Sequence, residues 1–334
     1  QWDDSPLIFN FKALGSYKHE EDVPIKLNIE INNTDKNIDI KTLSFTRDKE
    51  VILQGSGALP ITILPANTEK QLHIVSNKPM AFNFSSQPAP IFWTEIAKLT
   101  GVYLTQPKVN IQLAGTPQKP TGTCSVQAES LSIEDPGKSK LPKAENLNIA
   151  LKLSPNALSI EEGTLTVDGN PATIEGKLPW DAKAKQAFTP DWSRAVLDFK
   201  MTQTPIALFQ PWLPDFVKDD GQASLDLQIR PDHAILGTIE VSDAATYPIE
   251  PFGPIREIQA NIQFDKNTVS IKTLEGELSD QRLTIQGTIG IENLKDPKMD
   301  ITIRGNNVPI VRAPGLILRG NLDLSLETDT VTTL

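Results

Sequence analysis

Apolar residues fall at every second position along most of this 334-residue chain, and that spacing restricts what it can fold into. Ile25, Leu27, Ile29 and Ile31 alternate with Lys26, Asn28, Glu30 and Asn32. The same period returns at Val109, Ile111 and Leu113, at Leu147, Ile149, Leu151 and Leu153, and at Leu225, Leu227 and Ile229. It continues through Ala260, Ile262 and Phe264, through Met299, Ile301 and Ile303, and through Leu322, Leu324 and Leu326. A period of two places one face of a strand in an apolar phase and leaves the other wet. Turn formers separate the runs, at Asn32 to Asp35, Asp168 to Pro171, Asp265 to Asn267 and Ser279-Asp280. Strand, tight turn, strand is the signature of hairpins. The expected fold is all-β: a long antiparallel meander curled into an elongated U-shaped groove, with one or two short helices.

Internal repetition supports stacked units. Ile160 to Gly176 and Ile271 to Gly287 both place a closing glycine sixteen positions after an isoleucine, and a looser relative spans Ile40 to Gly55. Glycine-led strands are expected at Gly221 to Ile229 and Gly320 to Leu326. Residues 1–334 read as one continuous repeat segment of a longer protein. Its approximate units are 1–90, 91–205 and 206–308, with a further unit beginning at 309–334.

Two stretches depart from the alternation. Residues 91–100 carry apolar side chains at Phe92, Ile96 and Leu99, a helical spacing that Gly101 ends. Residues 205–214 form a shorter candidate, limited by Pro211. Each is expected to plug the apolar face, with Trp93 and Trp212 packed inward. Most of the prolines, Pro60, Pro120, Pro179 and Pro309 among them, are expected at strand ends and edges, where no ladder donor is lost. Residues 134–144 read as a long exposed loop.

The chemistry of catalysis is missing from this pattern. His19, His73 and His233 are scattered, and Cys124 is the only cysteine, so neither a clustered zinc set nor an internal disulfide is expected. No nucleophile elbow, phosphate loop or paired metal-binding histidines occur. The acidic residues lie mostly in turns or on the polar phase of strands. A net charge of −10 opposes a nucleic-acid surface. The chain is therefore expected to be no enzyme, without cofactor or metal.

The apolar phase still requires a cover, because burial is worth roughly 25 cal/mol per Å². A second sheet, closure of the sheet on itself, or an apolar ligand held in a groove would each supply one. In the groove reading, the lining is Ile25, Leu27, Ile29, Ile31, Val109, Ile111, Leu113, Ile149, Leu151, Leu225, Leu227, Ile229, Ile262, Phe264, Ile301, Ile303, Leu322, Leu324 and Leu326.

Four segments, Phe252 to Phe264, Val269 to Gly276, Leu283 to Gly287 and Val311 to Leu324, resemble the repeating modules of the TamB family of AsmA-like proteins. Val109 to Val126, with Thr116-Pro117 and Pro120-Thr121-Gly122, resembles another step of that module. The likeness extends over residues 90–334 and more loosely over 1–90. It implies a β-groove that spans the periplasm, anchored in the inner membrane of a diderm bacterium in the full-length protein. It also implies transfer of phospholipid acyl chains towards the outer membrane and docking to an outer-membrane barrel of the TamA or BamA type. Two alternatives stand beside the conduit. One is a β-scaffold whose sheet edge assists outer-membrane barrel assembly or translocation; the other is an adhesin of closed β-sandwiches.

Overall fold

The alternating runs fold as strands. A computed structural model describes residues 7–13, 25–34, 37–47, 50–63, 72–75, 77–86, 88–132, 143–181, 189–250, 252–292, 297–313 and 315–328. The chain divides into two compact units, residues 1–169 with 175–190 and residues 170–174 with 191–334. The division passes through one strand, Asn170–Pro179.

In the first unit the strands are β1 (Leu7–Ala13), β2 (Ile25–Thr34), β3 (Asn37–Arg47), β4 (Glu50–Leu59), β5 (Ile61–Ile63), β6 (Leu72–Ile74) and β7 (Ala81–Ser86). Helix α1 (Pro90–Thr100) follows, then β8 (Tyr103–Thr105), β9 (Lys108–Thr116), β10 (Lys119–Ser132), β11 (Ala144–Leu153) and β12 (Ala157–Val167). The ladder runs antiparallel from β1 through β2, β3, β4, β7, β9, β10 and β11 to β12. Strand β8 extends the far end of β10, and β5 pairs with β6 in a separate hairpin.

The strand β13 (Asn170–Pro179) is the one the division crosses. The second unit continues with β14 (Val196–Pro205), a 3₁₀ helix over Ile206–Trp212, β15 (Gln222–Arg230), β16 (Ala234–Ala244), β17 (Ile255–Asp265), β18 (Thr268–Leu278), β19 (Gln281–Gly290), β20 (Lys298–Ala313) and β21 (Leu316–Glu327). Each of these strands pairs antiparallel with the next. Among the described residues β21 pairs on one side only.

The anticipated turns have the backbone their residues favour. Ser279 and Asp280, between β18 and β19, have φ of 52° and 61°, and Asp168 and Gly169 have 46° and 83°. Two left-handed residues in succession match the right-handed twist of the flanking strands. The segment Ile271 to Gly287 is one such hairpin, and its two ends are direct cross-strand partners. The turn at Asp35 and most of the 134–144 loop lie outside the described residues.

Left-handed non-glycine residues also mark the bulges. Asn146, Gln203, Asp243, Glu257 and Asn307 all have φ between 49° and 56°, and each sits where the pairing register shifts. A bulge bends its strand and increases local twist. The periodicity of the sequence gives no sign of these extra residues.

Two placements differ from expectation. Pro309 lies inside β20, not at its end, and is fully buried; it falls at a register shift, where a missing N–H breaks no ladder bond. Gly320 lies in the middle of β21 and does not lead it. The side chain of Ile310 on β20 occupies the space a Cβ there would fill.

Candidate functional site

Registration carries the apolar phase from strand to strand. In the first unit one row passes through Ile29, Leu43, Gly55, Phe84, Ile111, Cys124 and Leu151 to Ile160. A neighbouring row passes through Ile31, Ile40, Gly57, Phe82, Leu113, Gly122 and Leu153 to Leu158. Two of the glycine gaps are filled from the next strand. The rings of Phe84 and Phe82 lie over Gly55 and Gly57, and they stack with centroids 5.7 Å apart and planes 8° from parallel.

The second unit repeats the arrangement. Met201, Leu225, Ile239, Ile262, Ile271, Gly287, Ile301 and Leu326 form one row. Beside it run Phe199, Leu227, Gly237, Phe264, Val269, Ile289 and Met299 on one flank. Ala223, Val241, Ala260, Leu274, Ile285, Ile303 and Leu324 run on the other.

These faces are only partly covered. Leu27, Ile29, Ile31, Ile111, Leu113, Ile149, Leu151, Leu225, Leu227, Ile262, Phe264, Ile301, Ile303 and Leu322 are half-buried, and Val109 is buried. Ile229, Leu324 and Leu326 are exposed, the two leucines at 52%. Ile25 pairs with Ala13 and Arg47 across the ladder, but its side chain lies outside the described set. Fully burying a leucine is worth about 1.5–3 kcal/mol. Each half-exposed member of a row therefore leaves on the order of 1 kcal/mol for an apolar ligand to realise.

The opposite phase is wet. Asn28 faces Ser44, Asn110 faces Ser125 and Gln127 faces Asn148 across the first unit. In the second, Lys200 pairs with Asp226 at 3.1 Å and Arg230 with Asp198 at 2.5 Å. Such surface pairs contribute little stability but keep that face hydrated.

A short helix covers one end of each apolar face, in both cases inserted between two strands that pair with each other. Helix α1 lies between β7 and β9 in sequence and ends at Gly101, whose left-handed φ of 72° and N–H to Ala97 O close its last turn. The 3₁₀ helix lies between β14 and β15 and buries Ile206 against Ala223 and Ala244, with Phe209, Leu213 and Ile258 packed around them. Trp93, on α1, is half-buried, whereas the side chain of Trp212 lies outside the described set.

Sequence periodicity missed part of this surface. Phe82 and Phe84 belong to a strand too short to show a period by itself, although Phe82-Asn-Phe84 alternates between two prolines, Pro79 and Pro88. Cys124 is half-buried in a row between Ile111 and Leu151. Desolvation raises its thiol pKa and keeps it protonated. Cys124 is therefore a native reporter of the apolar face. Its maleimide labelling at pH 8 should be slower than that of the unfolded chain. Phospholipid should slow it at least several-fold further, measured by mass spectrometry; labelling indifferent to lipid would count against occupancy of this row.

Among the described residues no cluster of histidine, cysteine and carboxylate side chains has the arrangement of a metal site. No helix among them is long and apolar enough to cross a membrane. A family model described as the TamB C-terminal domain matches residues 272–332, from β18 through β21. The matched region contains the ends of the rows at Ile301, Ile303, Leu324 and Leu326. Neither the curated proteins nor the solved structures gave a match.

Proposed function

We propose that this chain belongs to the TamB family and is a non-enzymatic conduit segment whose apolar rows hold phospholipid acyl chains in transit between the inner and outer membranes. The observation that carries this reading is the register. Half-exposed apolar side chains, punctuated by glycines, form cross-strand rows in each unit, while the opposite phase is mostly polar. An acyl chain is the apolar ligand that matches a long, featureless row of Leu, Ile, Val and Phe, because dispersion and burial need no hydrogen-bonding partner. In this reading the full-length protein is anchored in the inner membrane, crosses the periplasm and meets a barrel of the TamA or BamA type.

A second reading is a scaffold for barrel assembly, favoured by the outer edge of β21. That strand pairs on one side only among the described residues, and Leu316, Ile317 and Leu318 are 52–55% exposed. Open edges template added strands. Native mass spectrometry of the chain purified from bacterial membranes separates the two. The conduit reading expects bound phospholipid in defined stoichiometry. A lipid-free chain that binds peptides with the sequence of barrel strands would overturn it in favour of the scaffold.

A further inference from the structure

The two helix-covered ends are not equivalent. In the second unit the 3₁₀ helix seals its end, with Ile206 and Leu208 less than a tenth exposed. In the first, a pocket of about 330 Å³ lies between α1 and the sheet. Phe45, Leu53, Val109 and Ile111 line it from the sheet, and Phe92 and Trp93 roof it from α1. That volume is at the lower end of the range for ligand pockets.

Trp93 has a second peculiarity. Its indole N–H is buried and donates to nothing, whereas Trp180 of the same unit donates to Ser154 O at 3.0 Å. A buried donor without an acceptor is costly, and any movement that supplies one is favoured. Trp93 also borders a smaller cavity of about 200 Å³, where Thr94, Thr105 and Gln106 supply polar groups. Trp93 thus lines both an apolar compartment and a mixed, uncharged one. Helix α1 begins at Pro90 without a side-chain cap and ends on left-handed Gly101.

We propose that the pocket under α1 is a discrete binding site for one acyl tail of an ester-linked lipid, with α1 as its movable roof. When the tail enters, α1 lifts and the indole N–H of Trp93 donates to the ester carbonyl. The glycerol region then lies on the Thr94, Thr105 and Gln106 side. The site rests on the conduit reading and adds to it a station at which a lipid is held by a polar contact as well as by burial.

The test uses the whole chain and two probes, phosphatidylcholine with brominated acyl chains and its ether-linked analogue with the same chains. Bromine quenches tryptophan on contact, and comparison of the wild type with Trp93→Phe isolates the contribution of Trp93. One hydrogen bond corresponds to roughly a 3–10-fold preference. The wild type should therefore quench at Trp93 and bind the ester 3–10-fold more tightly than the ether, and Trp93→Phe should bind both alike. Equal binding of ester and ether by the wild type, or quenching undiminished in Trp93→Phe, overturns the proposal. The wild-type comparison decides alone if the variant fails to fold. If Trp93 is not quenched while lipid still protects Cys124, the pocket is wrong and the conduit stands. If neither responds, both fall.

Discussion

Ile301→Asp should abolish lipid binding by the second unit, lowering it more than tenfold, while the chain stays folded. Ile301 lies in the middle of a row, between Gly287 on β19 and Leu326 on β21. Its half-buried position lets an aspartate remain hydrated in the empty protein, so the stability cost is about 1–2 kcal/mol. A lipid tail covering the row would strip that hydration and leave an unpaired carboxylate against hydrocarbon, which is far more expensive. Thr302→Asp is the matched control. Thr302 stands between Gln286 and Ser325 on the polar phase, where a carboxylate meets water in both states. Lipid co-purification measured by mass spectrometry, with circular dichroism as the check on folding, reads both variants. Equal loss in the two would mean that the phase of the strand does not matter.

The second large effect concerns backbone packing and should appear in stability. Gly287→Ala should destabilise the second unit by about 2–4 kcal/mol in urea denaturation. Gly287 has φ of 152°, in a region open essentially to glycine alone. A Cβ there would collide with Asp300 O on the adjacent β20 strand. Gly237 repeats the arrangement at φ of 137° against Asp226 O. Gly315→Ala is the contrast, because at φ of 77° an added Cβ meets nothing within 4 Å. It should cost only the left-handed penalty, roughly 1 kcal/mol. If Gly287→Ala proved as mild as Gly315→Ala, the close approach of β19 to β20 would be wrong. These glycines also interrupt their rows, leaving Ile271 and Ile301 to flank Gly287, and Leu227 and Phe264 to flank Gly237.

Much of this fold is legible in the residues because a meander is built from local contacts. Alternation sets which face each strand presents, and short turns such as Ser279-Asp280 set the register of the next. The helix over residues 91–100 was visible from its spacing and its terminal glycine, and it appears as Pro90–Thr100. The bulges were hidden, because an inserted residue such as Gln203 or Glu257 leaves no compositional mark and breaks the period for a single step. The contribution of Phe82 and Phe84 was hidden for another reason. Their role is to fill space over glycines on a neighbouring strand, and that partnership exists only once β4 and β7 are paired. The pocket between α1 and the sheet, and the unpaired N–H of Trp93, are likewise properties of packing that no periodicity encodes. Gln112 and Gln228 stand on the phase opposite Ile111 and Leu227, because their neighbours on both sides are apolar.

Lipid contact should be confined to one phase of the strands. Photo-crosslinking side chains placed singly at Ile111, Leu227 and Ile301, and at Gln112, Gln228 and Thr302, test it directly in cells or with phospholipid vesicles. The account predicts lipid adducts at the first three positions and none above background at the last three. Equal labelling of both sets would contradict it.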